Sequence, residues 1–389
     1  MSVDCASLKG RSVAIYIPDL SGGGLERLQL DLAPLFIAAG LEVTFLLGTS
    51  QGALLTQVPA EALVVSLNAP RQLVTLLPIV RYLRRARPDI LLVHTEHPAI
   101  LSIWARVIAR SATRIIVCQH NTLSAQSQRK HWQFRILPLL FRLFLGWADR
   151  IVAVSAGVAD DLAACCGIAR ERVAVIYNGV VGNDFAQKCA AAIDHSWFGA
   201  GVPVIVAAGR LVEQKDFATL VTAFAAVARE RDVRLVILGE GPLRPSLEEL
   251  GRSLGVAERI DMPGFRANPL PYLREAALVV LSSRFEGFGM VLAEALACGT
   301  PVVSTDCPHG PAEILDHGRY GRLAPIGDPV ALARAIVATL DSAPPRQVLE
   351  SRGYTFTIRA SAERYLDLFE DILAQRDLAT SARSLQKRM

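Results

Sequence analysis

Residues 278–306 constrain the fold most, because they combine a strand, a glycine loop, a helix and a second strand in direct succession. Residues 278–283 form a short apolar run that is typical of a buried strand. The loop at 286–289 contains two glycines, at which the backbone can approach a ligand closely. Helix-forming residues follow at Met290–Ala297, and a glycine and a proline end the helix. The stretch predicts an anion site, because the free N–H groups and the dipole of this helix face the loop.

Two carboxylates bracket the predicted anion site. Glu286 lies in the loop, and Glu294 lies about one turn into the helix. A carboxylate beside a phosphate site is explained if the ligand also carries hydroxyl groups, because an ionised carboxylate only accepts hydrogen bonds and can take two hydroxyl donors. The pattern therefore predicts a ligand with both phosphate and sugar hydroxyls. The alternative is that Glu294 belongs to a solvated helix face and that Glu286 is incidental.

The composition is that of a globular protein with room for two domains. The chain has 389 residues, of which 51% are hydrophobic and 20% are charged. No uncharged apolar run reaches the roughly 18 residues of a membrane span, and residues 1–10 lack the apolar core of a signal peptide. Seven cysteines occur without a Cys-x-x-Cys pair, which is typical of reduced thiols. These features predict a cytoplasmic protein.

Positive charge is concentrated in the first half of the chain. Residues 1–185 carry a net charge of +5 and the remainder −1, so the first half favours an anionic partner such as a membrane surface, a lipid diphosphate or nucleic acid. Residues 126–147 mix basic and aromatic side chains, as interfacial helices do. They predict peripheral docking on the inner leaflet of a membrane, with a core-packed helix as the alternative. We expect no nucleic-acid partner, because no known binding motif accompanies the patch.

Strands and helices alternate through the chain, which predicts parallel, doubly wound sheets with ligands at the carboxyl ends of the strands. A glycine turn at 22–24 follows the first predicted strand. It matches neither a dinucleotide fingerprint nor a P-loop, so it is either an anion-binding turn or a plain tight turn. His120 follows another strand and is expected on the ligand side. His94 and His97 also lie at a strand end, where we expect them at most to line a cleft.

Two cations follow the strand predicted at the start of the second domain. Arg210 and Lys215 lie five positions apart in a loop that begins at Gly209. An arginine can bind two phosphate oxygens at once and a lysine supplies a point charge. The pair therefore suits the neutralisation of a diphosphate, although an isolated pair of this kind is usually a solvated surface feature.

These motifs together resemble those of family-4-type retaining glycosyltransferases, the group 1 enzymes with the GT-B fold. The donor-site signature is matched by Glu286 and Glu294, with seven residues between them, and by Ala-x-Gly-x-Pro-Val-Val-x-Thr-Asp at 297–306. Gly-Arg-x-x-x-x-Lys-x-Phe is matched at 209–217, and Gly-Gly-x-Glu-Arg at 23–27 with one additional glycine before it. The resemblance covers nearly the whole chain, and the motifs follow the family's order.

The resemblance implies an α/β protein of the GT-B class, with two Rossmann-like doubly wound domains facing each other across a cleft. Residues 1–185 would be the acceptor-binding domain, with a C-terminal helix at about 354–389 packing back onto it. Residues 186–353 would bind the nucleotide sugar. The basic first half and residues 126–147 favour peripheral attachment to the cytosolic face of a membrane.

The resemblance also implies roles for individual residues. Arg210 and Lys215 would bind the donor diphosphate, Glu294 the ribose, Glu286 the transferred sugar, and His120 would orient that sugar. Because no Asp-x-Asp motif occurs, we expect no metal and no other cofactor. The residues expected to bind the donor are Gly209, Arg210, Lys215, Gly239, Gly241, Phe265, Glu286, Gly287, Phe288, Gly289 and Glu294. Those expected on the acceptor side are Gly23, Gly24, Glu26, His120 and Asn121.

The expected activity is transfer of a hexose or an N-acetylhexosamine, with retention of configuration, from a nucleoside diphosphate sugar. A UDP sugar is favoured as the donor, and the acceptor would be a lipid-linked sugar or a polysaccharide precursor. Two alternatives stay open. One is another GT-B enzyme, such as a nucleotide-sugar epimerase or a phosphorylase, and the other is a non-catalytic subunit that binds a sugar nucleotide.

Overall fold

The computed structural model describes residues 5–70, 74–94, 96–127 and 139–388. The chain forms two units, one made of the chain through Gly179 together with the chain from Ile358, and one made of Val180–Thr357. Among the described helices, none is both long enough and apolar enough to cross a bilayer.

The first unit is built on a seven-stranded parallel sheet in the order β3-β2-β1-β4-β5-β6-β7. Its strands are β1 Ser12–Ile17, β2 Glu42–Leu47, β3 Leu63–Ser66, β4 Ile90–Val93, β5 Arg114–Gln119, β6 Arg150–Ala153 and β7 Val173–Val175. Its helices before residue 180 include α1 Gly24–Ala38, α2 Leu76–Ala86, α3 Glu96–Ala109, α4 Leu123–Ser127 and α5 Ala156–Cys166. Ile15 and Tyr16, adjacent on β1, belong to the cores on opposite faces of the sheet. Burial of both faces explains why these strands are continuous apolar runs.

The second unit is built on a six-stranded parallel sheet in the order β10-β9-β8-β11-β12-β13. Its strands are β8 Val204–Ala208, β9 Arg234–Leu238, β10 Ile260–Gly264, β11 Leu278–Leu281, β12 Val302–Thr305 and β13 Arg322–Ala324. Its helices are α6 Phe185–Cys189, α7 Phe217–Glu230, α8 Arg244–Ser253, α9 Leu270–Glu275, α10 Met290–Ala297, α11 Pro311–Ile314, α12 Pro329–Asp341 and α13 Arg346–Gly353.

The last helix, α14 Ile358–Arg388, belongs to the first unit. The rings of Tyr365 and Phe369 contact that of Phe36 on α1, at centroid distances of 6.1 and 5.4 Å. The Tyr365 hydroxyl lies 3.6 Å from Sγ of Cys118 on β5. The helix starts at Ile358, so the predicted start near 354 is too early, because a separate helix ends at Gly353 and a turn follows it.

The chain passes between the units at 179/180 and at 357/358, whereas the sequence predicted 185/186 and about 353/354. The carbonyl of Phe356 accepts the N–H groups of Val180 and Val181, at 2.8 and 3.2 Å. The rings of Phe185 and Tyr354 also meet, with centroids 6.2 Å apart. These contacts assign residues 180–185 and 354–357 to the second unit. The assignment of acceptor and donor to the two units stays a prediction.

Each sheet reverses its order beside its first strand. In the first unit β1 lies between β2 and β4, and in the second β8 lies between β9 and β11. Loops that leave the carboxyl ends of two such central strands diverge, and ligands of doubly wound proteins bind in the crevice between those loops. The expected ligand sites are therefore the loops after β1 and β4 and the loops after β8 and β11.

Candidate active site

The loops after β8 and β11 are hydrogen-bonded to each other at the carboxyl edge of the second sheet. The N–H of Arg284 donates to the carbonyl of Gln214 at 2.8 Å, and the Gln214 side chain donates to the carbonyl of Phe285 at 3.0 Å. The hydroxyl of Ser282 donates to the carbonyl of Lys215 at 2.8 Å. Two motifs that are distant in sequence thus form one local structure.

Lys215 and Glu286 form an ion pair at the centre of these loops. Nζ of Lys215 lies 2.5 Å from Oε1 of Glu286, and the two side chains are only 19% and 8% exposed. The hydroxyl of Ser283, which is fully buried, donates to the same Oε1 at 2.5 Å. Removing one member of such a pair would leave an uncompensated charge in a poorly solvated place. The predicted diphosphate cation and the predicted sugar carboxylate therefore act as one structural unit.

Arg210 differs from Lys215 in its surroundings. Its side chain is exposed, at the start of the loop after β8. Gly209, just before it, leaves room for the lysine stem, because a Cβ there would lie 3.1 Å from Cε of Lys215. The loop thus holds one lysine in a fixed contact and presents one arginine to solvent.

Close packing against a neighbouring loop explains why glycine occurs at positions 239 and 241, with no need for a ligand. A Cβ on Gly239 would collide with the carbonyl oxygen of Gly209, and one on Gly241 would lie 2.5 Å from that of Leu211. The N–H of Leu211 donates to the carbonyl of Glu240 at 2.9 Å. These glycines let the loop after β9 lie directly against the loop that carries Arg210.

The predicted glycine loop leads into α10 as expected. Gly289 is the N-cap residue, with φ of +94°, a conformation that glycine adopts without strain. The ring of Phe288 is buried against that of Phe356, with centroids 5.3 Å apart, and Gly287 is buried as well. Glu294 lies partly exposed on the helix. The Phe265 side chain, in the turn after β10, is 45% exposed.

In the first unit, the glycine turn after β1 caps α1. Gly23 is the N-cap and Gly24 the first helical residue. A Cβ on Gly23 would collide with Oε2 of Glu26, so the carboxylate of the third helical residue folds back over the cap, as in a capping box. A phosphate at this helix start would meet that negative charge. The geometry therefore favours the plain-turn interpretation over an anion site.

His94 and His120 form a hydrogen-bonded pair at the ends of β4 and β5. Nδ1 of His94 lies 2.9 Å from Nε2 of His120. His94 is 2% exposed, and His120 is partly exposed. Burial lowers the pKa of His120 to about 4, and burial together with the His120 ring lowers the pKa of His94 well below its usual value. Both rings are therefore neutral near pH 7.

Asn121 contributes its backbone to the same edge. Its carbonyl accepts a hydrogen bond from Nε2 of Gln119 at 2.7 Å, and the same nitrogen donates to Oε1 of Glu96 at 3.0 Å. These contacts tie the end of β5 to the start of α3.

An apolar surface on α3 adjoins the segment predicted to dock on a membrane. Residues 128–138 of that segment lie outside the described residues. The ring of Phe144 contacts those of Trp104 and Trp147, at 5.2 and 6.0 Å. The exposed apolar side chains of this region, which we call the α3 patch, are Trp104, Val107, Ile108, Leu139, Leu143 and Trp147.

Sequence reasoning missed two members of these clusters. The sequence pattern predicts Ser283 only as the end of a strand, whereas in the structure its hydroxyl donates to Glu286. The sequence predicts at most a cleft-lining position for His94, whereas in the structure it contacts His120 directly. The order of the strands could have revealed the second contact, because β4 and β5 are parallel neighbours and the residues that follow them lie side by side.

Two family models match the chain. The one described as Glycosyltransferase Family 4 matches residues 22–181, and the one described as Glycosyl transferases group 1 matches residues 202–342.

Characterised relatives match over different lengths. The chain is 26% identical over 376 residues to the N-acetylgalactosamine-N,N'-diacetylbacillosaminyl-diphospho-undecaprenol 4-alpha-N-acetylgalactosaminyltransferase of Campylobacter jejuni. This match covers 93% of this chain and 98% of the relative. The chain is also 37% identical over 178 residues to the lipopolysaccharide core biosynthesis glycosyltransferase LpsE of Rhizobium meliloti. This second match covers 46% of this chain and 51% of the relative.

Solved structures share the fold. A glycosyltransferase from Rickettsia africae superposes with a TM-score of 0.75 at 18% identity, over 93% of this chain and 98% of that one. Anabaena HepE, in complex with UDP and glucose, superposes with a TM-score of 0.69 at 22% identity, over 96% and 100%. The predicted fold class, with two Rossmann-like doubly wound domains, is confirmed.

Proposed function

The chain belongs to the group 1 glycosyltransferases with a family 4 N-terminal domain, and from this we propose that it transfers a hexose or an N-acetylhexosamine from a UDP sugar to a lipid-linked sugar, with retention of configuration. The Campylobacter relative is named for an acceptor on diphospho-undecaprenol, which supports a lipid-linked acceptor. The Anabaena structure contains UDP and glucose, which makes a UDP sugar the first donor to test.

The observation that carries the proposal is the contact between Lys215 and Glu286 at the switch point of the second sheet. A lysine ammonium has three donor hydrogens, so Lys215 can keep Glu286 and also bind a phosphate oxygen. Glu286 can accept a hydrogen bond from a sugar hydroxyl on the same ligand. A nucleoside diphosphate sugar presents both groups, because its terminal phosphate is esterified directly to the sugar that carries the hydroxyls.

The negative charge of the leaving diphosphate must be stabilised by the residues around it. As the sugar leaves, negative charge develops on the diphosphate, and pre-positioned cations and N–H groups stabilise it. In the proposal Lys215, the exposed Arg210 and the N-terminus of α10 supply this stabilisation without a metal. Glu294 accepts hydrogen bonds from the ribose hydroxyls. We expect no cofactor for this chemistry.

Retention is proposed to proceed by front-face displacement. Oε1 of Glu286 already accepts hydrogen bonds from Lys215 and Ser283, and such contacts lower the nucleophilicity of a carboxylate. A covalent intermediate on Glu286 is therefore disfavoured. The attacking hydroxyl of the acceptor would be oriented on the same face as the departing diphosphate.

The first unit is proposed to bind the acceptor and to approach an anionic leaflet. His120, a neutral ring at the end of β5, would bind a sugar hydroxyl. The α3 patch would enter the interface, since aromatic and aliphatic side chains bordered by arginines are typical of interfacial surfaces. Arg84 supports this arrangement, because its guanidinium donates to the carbonyl of Ile108 at 3.0 Å and lies beside the patch.

The test combines donor binding with product analysis. Thermal shifts of the purified protein would be measured with UDP, GDP, ADP and dTDP sugars, and the best donor would then be incubated with an undecaprenyl-diphosphate-linked sugar. We expect a shift with the UDP series and an α-linked product from an α-linked donor, as judged by NMR. A β-linked product would exclude retention. Conversion of the donor to its epimer without acceptor would favour an epimerase, and binding without turnover would favour a non-catalytic subunit.

A further inference from the structure

His94 follows the strand at the switch point of the first sheet, and its contacts differ at its two ring nitrogens. Nδ1 contacts Nε2 of His120 at 2.9 Å. Nε2 of His94 is buried and has no hydrogen-bond partner among the residues that the structure describes. The ring itself is 2% exposed. A neutral imidazole carries one proton, so these contacts restrict where the protons of both rings can lie.

Two proton arrangements satisfy the contact between the rings. In the first, Nδ1–H of His94 donates to a bare Nε2 of His120, and the unpartnered Nε2 of His94 carries no proton. In the second, Nε2–H of His120 donates to a bare Nδ1 of His94, and a buried N–H is left without an acceptor. Among buried backbone groups an orphaned N–H is rarer than an under-satisfied acceptor, and the same preference applied to these rings favours the first arrangement. It places the proton of His120 on Nδ1.

We propose that His94 is a positioning residue that donates its Nδ1–H to His120 and thereby fixes His120 as an Nδ1–H donor toward the oxygen of a substrate hydroxyl. This inference rests on the proposed function, in which His120 binds a sugar. Nδ1 of His120 makes no hydrogen bond with the described residues, so it is the ring atom that can meet a ligand. The contact also restricts rotation of the ring.

The first experiment determines directly which ring nitrogen of each histidine carries the proton, and it does not require enzymatic turnover. Protein labelled with ¹⁵N at histidine would be studied near neutral pH by long-range ¹H–¹⁵N correlation, in which a protonated ring nitrogen is well separated from a bare one. His120→Gln would identify the His120 signals. We expect His120 protonated on Nδ1 and His94 also on Nδ1. His120 protonated on Nε2 in the unmodified protein would overturn the inference.

Three substitutions of His94 separate the direction of the hydrogen bond from mere packing. His94→Asn keeps a donor near the position of Nδ1, so the His120 proton should stay on Nδ1. His94→Leu, which has nearly the shape of Asn, removes the donor, and the proton should move toward Nε2, the site preferred by free imidazole in water. His94→Asp offers an acceptor instead, and should place a proton on Nε2.

Activity should follow the proton and not the size of the side chain. We expect His94→Asn to keep most of kcat, and His94→Leu and His94→Asp each to lose roughly 10-fold, the scale of one misplaced hydrogen bond. Equal activity of the Asn, Leu and Asp variants would contradict the inference. If the protein transfers no sugar at all, the proposed function fails, while the NMR result still decides the proton position. If it transfers sugar but His120 carries its proton on Nε2, only the inference fails.

Discussion

Lys215 and Glu286, which are 71 residues apart in sequence, lie with Nζ and Oε1 2.5 Å apart. The contact links the loop after β8 to the loop after β11, so the residues expected to bind diphosphate and sugar are not independent. A ligand that binds one of them must also change the surroundings of the other.

Removal of either charge in this pair should destabilise the second unit more than removal of both. Lys215→Met leaves Glu286 buried without its cation, and Glu286→Gln leaves the ammonium without its carboxylate, so each should cost about 2 kcal/mol or more of unfolding free energy. The double variant should recover part of that loss. Denaturant unfolding of the four proteins measures the coupling, and strictly additive losses would show that the pair contributes nothing.

Arg210→Ala should weaken donor binding without a change in stability. Its side chain is exposed, whereas a charged hydrogen bond to phosphate contributes about 2 kcal/mol in a closed site. Isothermal titration with the nucleotide sugar would measure the affinity, and thermal unfolding the stability. Arg229→Ala, an exposed arginine near the end of α7, is the matched control and should leave both unchanged. Unaltered affinity in Arg210→Ala would remove this residue from the diphosphate site.

Acid should destabilise the first unit through the histidine pair. The pKa of His120 is about 4 in the folded chain, against about 6.5 when unfolded. The unfolded chain therefore binds protons first, and the stabilisation present above pH 6.5 is lost between pH 6.5 and pH 4, by at most ~3 kcal/mol. His94, with its pKa also lowered, acts in the same direction.

Unfolding measured at about pH 7 and about pH 5 tests this effect. The unmodified protein should lose more stability on acidification than His120→Gln, which cannot titrate at that position. A loss of the same size in both proteins would assign the acid sensitivity to other groups.

Chelators should leave transfer unaffected. In the proposed mechanism Lys215, Arg210 and the α10 N-terminus bind the diphosphate, so no divalent ion is needed to offset its charge. Initial rates with the unmodified protein would be compared before and after EDTA treatment. Loss of activity that Mg²⁺ or Mn²⁺ restores would contradict this prediction.

Polar substitution in the α3 patch should reduce binding to anionic liposomes. Trp104→Ser with Leu143→Ser removes apolar area from the proposed contact, and the burial of such side chains contributes roughly 1.5–3 kcal/mol each. Flotation of the variant and the unmodified protein would be compared. Val330→Ser with Val348→Ser, two exposed apolar residues of the second unit, is the control. Equal flotation of the patch variant and the control would contradict the docking proposal.

Replacing Arg129, Lys130 and Arg135 should make the same binding weaker and less sensitive to salt, because the electrostatic attraction of exposed charges is screened by salt. These residues lie outside the described part of the chain, so the prediction depends on sequence alone. Flotation at low and high salt measures it. An unchanged salt dependence would exclude a role for these three charges.

The order of elements and the conformations of the loops after β8 and β11 could be predicted from sequence because they depend on local patterns. Apolar runs mark the buried strands, and the glycine at 289 has the left-handed conformation that its place before α10 requires. The pairing of His94 with His120 depends on which strands become neighbours. The roles of Gly239 and Gly23 depend on atoms that approach them from elsewhere, Gly209 and Glu26 respectively. Local sequence carries no direct signal of such contacts.

The return of the last helix to the first unit has a consequence for protein synthesis. Phe369 of α14 belongs to the same core as Phe36 of α1, whereas the second unit is one uninterrupted piece of chain, Val180–Thr357. A ribosome therefore completes every residue of the second unit while the first still lacks its final helix. The unit that begins later can finish folding earlier, and a chain that stops short of α14 leaves the first unit with an open core.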